Sequence, residues 1–221
     1  MVDDYLSDRE LEESLRNWWR DNWRWLLGGI VLGLAIIAGW RYWQVYTTKR
    51  AEEAADLFAE YRAAGDDATK TQAALERLAR EFKRSPYTMQ ARLLQAKQHV
   101  EAGRFDEAAS ELRAVIEASK DKELAQIARM RLARVLIQQG KHDEALSLLD
   151  PGKAGAFAAQ VREVRGDALF AKGDMSGARA EYAAALAANA DAVTDRTLLE
   201  MKLQDTGASS SEATPATEGQ P

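Results

Sequence analysis

Residues 165–186 of the chain read RGDALFAKGDMSGARAEYAAAL, a pattern that predicts two helices joined by a tight turn. Small and apolar side chains recur along both predicted helices at helical spacing, at Gly166, Leu169, Ala178, Tyr182 and Ala185. Gly173 separates the two helices, and glycine accepts a positive φ without the steric cost of a side chain. The small alanine side chains let the helices approach closely. This stretch therefore predicts a helical hairpin.

The same pattern occurs three times along the chain. The matching segments are GRFDEAASEL from Gly103, GKHDEALSLL from Gly140 and GDMSGARAEY from Gly173. These glycines are 37 and 33 residues apart, and a period of about 34 residues with this arrangement is typical of tetratricopeptide repeats. Three residues after each glycine a polar side chain is predicted to cap the second helix, at Asp106, Asp143 and Ser176.

A degenerate fourth hairpin is predicted upstream of these three, with a lengthened loop at residues 66–71. Its apolar positions are Leu57, Phe58, Tyr61, Leu75, Leu78 and Phe82. A single hairpin cannot bury its apolar face, so about three or more units must stack to be stable. The sequence therefore predicts an all-α fold, a tetratricopeptide-repeat-like right-handed α-solenoid. Its first helices would line a concave groove, and its second helices would form the outer wall.

The first helices of the predicted hairpins supply the candidate residues for binding an extended peptide. Those expected to point into the groove are Leu93, Lys97, Met130, Arg134, Glu163 and Phe170. For each of them the alternative is packing between helices or simple exposure to solvent. The pattern alone does not choose between these alternatives.

An apolar segment near the N-terminus predicts a membrane anchor. The sequence WLLGGIVLGLAIIAGW at residues 25–40 carries no charge, and all six tryptophans of the chain lie beside it or at its ends. Indole rings favour the membrane–water interface, where an apolar body and a donor N–H are both accommodated. The predicted rim of the anchor consists of Trp23, Arg24, Trp25, Trp40, Arg41 and Trp43.

Two other interpretations of this segment remain. A core helix of a soluble protein has a similar length, but it rarely collects every tryptophan at its two ends. A cleaved secretory signal needs small residues at its C-terminal end, whereas GWRYWQ at residues 39–44 is bulky and aromatic. An uncleaved signal-anchor at residues 24–45 agrees best with these features.

Composition excludes several classes of function. The chain has 221 residues, a formal net charge of −5 and no cysteine, which argues against a thiol nucleophile, a thiolate zinc site and a basic surface for nucleic acid. His99 and His142 are far apart in sequence, and the paired carboxylates recur with each repeat, as helix capping and dipole complementarity would produce. No catalytic motif is present. We expect no enzymatic activity, no cofactor, no metal and no nucleic-acid partner.

Four regions are predicted along the chain. Residues 1–23 form a cytoplasmic tail, 24–45 the transmembrane signal-anchor, 46–204 a periplasmic repeat domain, and 205–221 a disordered tail of small polar residues. The count of basic residues near the anchor, four before it and three after, does not set the orientation. The long domain after the anchor can translocate regardless of its charge, which favours this arrangement.

Three phrases of the sequence resemble a known family. They are GWRYWQ after the apolar run, RLARVLIQQGKHDEALSLLD at residues 131–150, and RGDALFAKGDMSGARAEYAAAL. In these phrases the chain is similar to the YfgM family, ancillary subunits of the bacterial SecYEG translocon. The likeness extends over roughly residues 14–204. The chain departs from the family in its extension after about Gln204 and in detail before the anchor.

The resemblance implies a location and partners. It implies a single-pass protein of the bacterial inner membrane with its N-terminus in the cytoplasm and its repeat domain in the periplasm. The implied partners are SecYEG, the membrane-bound chaperone PpiD and membrane lipid. The implied role is transfer of translocated proteins to periplasmic chaperones and control of the Rcs envelope-stress response. Two alternatives are a periplasm-facing assembly scaffold for cell-wall or division machinery and an enzyme with an unfamiliar site.

Overall fold

The computed structural model describes residues 8–65, 67–188 and 195–207, and these residues are helical apart from turns. They contain no strand, so the predicted all-α class is confirmed for this part of the chain. The chain divides into two compact units, Met1–Glu53 and Ala54–Pro221.

The first unit consists of most of one long helix, α1, which runs from Asp8 to Ala63 over 56 residues. Within the described ranges it is the one helix that is long and apolar enough to cross a membrane. Its most apolar stretch is 0 % buried, and the side chains of Trp25 and Trp40 are 83 % and 69 % exposed. These exposures contradict the alternative of a buried core helix, which would require other parts of the protein to cover the segment.

The second unit is a stack of helical hairpins. In chain order its helices are the end of α1, α2 (Ala68–Glu81), α3 (Pro86–Glu101), α4 (Phe105–Ala118), α5 (Lys122–Gln138), α6 (His142–Leu148), α7 (Ala158–Lys172), α8 (Met175–Leu186) and α9 (Arg196–Asp205). Two short 3-10 helices, Pro151–Lys153 and Gly155–Phe157, connect α6 to α7. The pairs α3–α4, α5–α6 and α7–α8 are hairpins, and α9 packs against α8. The end of α1 and α2 form a further hairpin, joined by a shared cluster of buried apolar side chains.

Glycine ends the first helix of three hairpins, as the sequence predicts. Gly103, Gly140 and Gly173 have φ values of 71°, 75° and 89°, in the left-handed region that only glycine adopts without strain. The alanines five residues later, Ala108, Ala145 and Ala178, are all 0 % exposed. The repeat period and the close helix contacts are therefore confirmed.

Two local predictions about turns are wrong. The second helices begin earlier than expected, so Asp106 and Asp143 lie in their first turns instead of capping them. The Asp106 carboxylate accepts a hydrogen bond from Gln139 of the next hairpin at 2.9 Å. Asp174, not Ser176, caps α8 by accepting a hydrogen bond from the Gly177 backbone at 2.9 Å.

The first hairpin also differs from the prediction in its loop. α2 begins at Ala68, where Asp67 caps the helix by accepting a hydrogen bond from the Lys70 backbone N–H at 3.1 Å. Residues 68–71 are therefore helical and the loop is shorter than predicted, while Asp66 lies outside the described residues.

The C-terminal boundary of the folded part is also later than predicted. α9 ends at Asp205, and Thr206 is only 4 % exposed because its backbone carbonyl accepts a hydrogen bond from the Arg179 guanidinium. Residues 205–207 therefore belong to the helical stack. The remainder of the predicted tail, 208–221, and the first seven residues of the chain lie outside the described residues.

Thr88 ties the first hairpin to the second, and its replacement by valine tests this link. The hydroxyl is fully buried and donates toward the Phe82 carbonyl at 2.8 Å, at the end of α2. The Phe82 carbonyl also accepts a hydrogen bond from the Ser85 backbone N–H at 2.8 Å, so valine, which keeps the shape, removes one of its two donors. We therefore expect Thr88→Val to lower the free energy of unfolding by about 0.5–1.5 kcal/mol, the net contribution of one hydrogen bond. Urea unfolding followed by circular dichroism measures it. An unchanged midpoint would show that the hydroxyl does not join the hairpins.

Candidate functional site

A cleft on the face formed by the first helices is the candidate binding site. We call it the central cleft. It has a volume of about 340 Å³ and is lined by Val100, Phe105, Arg134, Val135, Ile137, Gln138, Asp167 and Lys202. These residues come from α3, the start of α4, α5, α7 and α9. The side chains from successive first helices therefore meet at one surface, where an extended segment could contact several repeats.

Three of the six predicted groove residues are accessible. Arg134 is exposed and lines the central cleft. Lys97 is exposed beside a smaller cleft at Tyr61, where its ammonium lies 3.6 Å from the Glu101 carboxylate. Phe170 on α7 is 38 % exposed, unusually open for a phenylalanine.

The other three predicted groove residues make contacts within the protein. Met130 is 6 % exposed and belongs to the main core, and Leu93 packs partly buried against that core. Glu163 is bound by Lys202 of α9, with the ammonium 2.7 Å from the carboxylate. Helical spacing placed Glu163 on the first helix of its hairpin, but it did not show that another helix pairs with its carboxylate.

Helix α9, which the sequence reasoning missed, completes one side of the cleft. Its Lys202 ammonium bridges Glu163 at 2.7 Å and Asp167 at 2.9 Å, and Leu199 is 1 % exposed against α8. A sequence signal was available, because Leu199 and Leu203 are four residues apart after a capping Asp195. The short helix thus closes the last hairpin and carries a cation to the inner face.

The acidic side of the cleft is held by a buried tyrosine. The Tyr182 hydroxyl donates to the Asp167 carboxylate at 2.9 Å, and Lys202 lies 6.0 Å from the Tyr182 ring centroid. Burial lowers the pKa of Lys202, but hydrogen bonds from its ammonium to Glu163 and Asp167 outweigh burial, so the pKa lies above its ordinary value. Lys202 therefore stays charged and offsets one of the two carboxylate charges on this side of the cleft.

Arg134 is the cation of the central cleft that makes no ion pair within the described residues. Lys202, by contrast, has two ion-pair partners. Val100, which lines the same cleft, is 39 % exposed, so the cleft combines a cation with a partly open apolar surface. This arrangement suits an extended segment that presents apolar side chains and a carboxylate or backbone carbonyl oxygens.

The described residues contain no cluster of three or more histidine, cysteine or acidic side chains that could hold a metal ion. His99 accepts a hydrogen bond at Nδ1 from Arg104 at 3.0 Å. His142 lies at the start of α6. Neither histidine lines the central cleft.

Two buried tyrosines make the stability of the domain sensitive to alkaline pH. Burial and the Glu111 charge raise the pKa of Tyr61 to about 12, and burial together with Asp167 raises the pKa of Tyr182 well above its ordinary value. In the unfolded chain a tyrosine hydroxyl loses its proton at about pH 10, whereas in the folded protein these two hydroxyls keep theirs to higher pH. Their contribution to the free energy of unfolding is therefore fully present below about pH 10 and is lost as the pH rises above that value. We expect urea midpoints to fall between pH 10 and 12. The Tyr61→Phe and Tyr182→Phe double variant should show a smaller fall, and an equal fall would contradict this explanation.

The predicted rim of the anchor lies on α1. Trp23, Arg24 and Trp25 precede the apolar stretch, and Trp40, Arg41 and Trp43 follow it, all on one continuous helix. The Arg24 guanidinium lies 5.8 Å from the Trp23 ring centroid. Trp40 and Trp43 are 69 % and 64 % exposed, so these rings are free to contact a surrounding medium.

Comparison with known proteins agrees with these features. Residues 16–208 match the family model described as a tetratricopeptide repeat-like domain, so the chain is a protein of this repeat class with an apolar helix at its N-terminal side. No solved structure matches the chain.

Similar curated proteins specify the family further. A protein named ancillary SecYEG translocon subunit from Escherichia coli K12 is 32 % identical over 181 residues, which cover 81 % of this chain and 87 % of that protein. Proteins of the same name from Haemophilus influenzae and Neisseria gonorrhoeae are 31 % and 29 % identical, covering 80 % and 90 % of this chain and 88 % and 97 % of their own lengths. The chain therefore belongs to the family of ancillary SecYEG translocon subunits.

Proposed function

We propose that this chain is a non-enzymatic, membrane-anchored scaffold at the Sec translocon. Residues 24–45 would cross the inner membrane once, with the tail before them in the cytoplasm and the repeat domain in the periplasm. The observation that carries the proposal is the family match over residues 16–208, which includes both the apolar helix and the hairpins. The relatives' shared name supports the assignment to the translocon.

The mechanism follows from tethering and from the central cleft. An anchored groove beside the translocon has a high effective concentration near each emerging chain, so weak contacts suffice. The Arg134 cation and the apolar surface of the cleft would hold extended segments of a translocated protein. Release from a weak site requires no energy source. The segment could then pass to a periplasmic chaperone such as PpiD, and occupancy of the scaffold could influence the envelope-stress response.

Site-specific crosslinking in cells tests this proposal. A photoreactive residue in place of Gln138, an exposed residue that lines the central cleft, should capture translocon subunits and a chain in transit while Arg134 stays in place. A matched probe in place of Ala180, exposed on α8 and absent from the central cleft, should capture them less.

Three results would contradict the proposal. Capture of cytoplasmic proteins alone would show that the repeat domain faces the cytoplasm and not the periplasm. Capture of cell-wall or division proteins without translocon subunits would favour an assembly scaffold instead. Equal capture from both positions would show that the central cleft is not the surface that binds these proteins.

A further inference from the structure

Two of the hairpins share an ion pair that joins their first and second helices. Arg92 on α3 pairs with Glu111 on α4, and Arg162 on α7 pairs with Glu181 on α8. In both cases the arginine lies eleven residues before the turn glycine and the glutamate eight residues after it. The two glutamates are 19 % and 15 % exposed, and Arg92 is 19 % exposed, so the first pair is largely shielded from solvent. Arg162 is 39 % exposed, and its partner Glu181 is also bound by Arg165 at 2.7 Å.

The third hairpin has the arginine of this pair but not the glutamate. Arg129 lies eleven residues before Gly140, and the residue eight positions after that glycine is Leu148, the last residue of α6. Within the described ranges, Arg129 donates only to the side-chain oxygen of Gln126, at 3.3 Å. A partly buried guanidinium is thus left without the carboxylate that its two counterparts bind.

The acid is missing because the sequence has leucine at this position, and α6 also ends there. α6 has 7 residues, whereas the second helices on either side, α4 and α8, have 14 and 12. Pro151 lies three residues beyond the end of α6, and proline lacks the backbone N–H of a helix interior and disfavours helical geometry at the residue before it. About two helical turns are therefore absent compared with α4.

An open cavity lies beside the half of α5 that the missing turns would cover. We call it the α6 gap. It has a volume of about 710 Å³, and its lining includes Ile116, Gln126, Arg129, Leu148, Ala156 and Phe157. The walls come from the end of α4, the N-terminal half of α5, the end of α6 and the 3-10 segment. Arg129 borders this space, as Arg92 borders α4 in the second hairpin.

We propose that the α6 gap binds a short amphipathic helix of a partner protein. About two turns of that helix would take the place of the absent part of α6. A glutamate of the helix would pair with Arg129, and apolar side chains on the same face would contact Ile116, Leu148 and Phe157. The charged side chains of the lining are Lys122, Arg129 and Lys153 against Glu123 and Asp150, and Lys153 pairs with Asp150. The gap therefore keeps a small excess of positive charge, which favours an acidic helix. This surface is separate from the central cleft, so the proposal does not depend on how the cleft is used.

The protein itself supplies a suitable probe. In α4, residues 111–118 (ELRAVIEA) provide the pairing glutamate and bury Leu112 and Val115. A stapled, fluorescently labelled peptide of this sequence should bind the full-length protein in lipid nanodiscs, measured by fluorescence anisotropy. Arg129→Glu should weaken binding at least tenfold. A peptide in which lysine replaces the first glutamate should bind the Arg129→Glu variant more tightly than it binds the original protein.

Two control variants separate the α6 gap from general effects of charge and size. Arg84→Glu makes the same charge change at an exposed arginine outside the gap and should leave binding unchanged. Ala156→Trp, at an exposed lining position, should block binding by filling the gap. Ala180→Trp adds the same bulk on α8 and should not block it. Ala156→Trp also gives an answer if Arg129→Glu does not fold.

Several outcomes would overturn the proposal. They are absence of binding at millimolar peptide, equal binding by the Arg129→Glu variant and the original protein, and failure of Ala156→Trp to block binding. Binding that depends on Arg92 instead of Arg129 would show exchange with α4. A doubled mass in light scattering that Ala156→Trp abolishes would assign the gap to a second copy of this chain.

Discussion

Replacing Leu32 and Ile36 together with arginine is expected to prevent stable insertion of the chain into the membrane. Both side chains lie in the uncharged centre of α1, and each is 63 % exposed. Each arginine near the middle of a spanning helix costs about 3 kcal/mol on insertion scales. The two substitutions together should outweigh the gain from the remaining apolar residues. The variant should therefore leave the carbonate-resistant membrane fraction, where the original chain is expected to remain.

The matched control for this variant places arginine outside the predicted span. Thr48→Arg adds a charge to an exposed position of the same helix beyond residue 45, and it should not affect membrane retention. If the Leu32→Arg and Ile36→Arg chain stayed in the membrane fraction like the control, residues 24–45 would not be the anchor.

Gly166→Val is expected to destabilise the last hairpin strongly. A Cβ atom added at Gly166 would lie 2.4 Å from Cε1 of Tyr182, far inside van der Waals contact. The tyrosine ring cannot easily move away, because it is 2 % exposed and its hydroxyl is bound to Asp167. Overpacking of this kind costs about 3 kcal/mol, or roughly 10 °C in melting temperature for a domain of this size. Thermal unfolding followed by circular dichroism measures the change.

The control for this substitution is a valine on the same helix that meets no neighbour. Ala171→Val adds comparable bulk at an exposed position of α7 and should lower the melting temperature by far less. Hydrogen exchange should locate the loss of protection in the Gly166→Val variant to α7, α8 and α9. Equal melting temperatures for the two variants would show that the contact between Gly166 and Tyr182 does not hold the hairpin together.

The repeat architecture was predictable because its determinants are local. Turn glycines and the alanines that follow at fixed offsets act within one hairpin, so the period alone predicts where the helices turn and which faces meet. The capping prediction at Asp106 was wrong because its carboxylate is used in a contact between hairpins. Gln139 and Lys141, which approach that carboxylate, are more than 30 residues away in sequence.

The candidate site was only partly predictable for a related reason. Helical periodicity identifies the face on which Met130 and Arg134 lie, but not the depth to which each side chain is covered by the neighbouring hairpins. Periodicity also did not predict that α9 would place Lys202 next to Glu163. The vacancy beside Arg129 emerges only from comparing the same position in three hairpins, because a single repeat does not show which partner is missing.

Copurification in mild detergent tests the account most directly. The full chain, extracted from bacterial membranes under conditions that keep the translocon intact, should recover the SecYEG subunits. The Leu32→Arg and Ile36→Arg variant, expressed at the same level, should not recover them. Recovery of the intact chain without any translocon subunit, under conditions that retain the known translocon contacts, would contradict the proposed function.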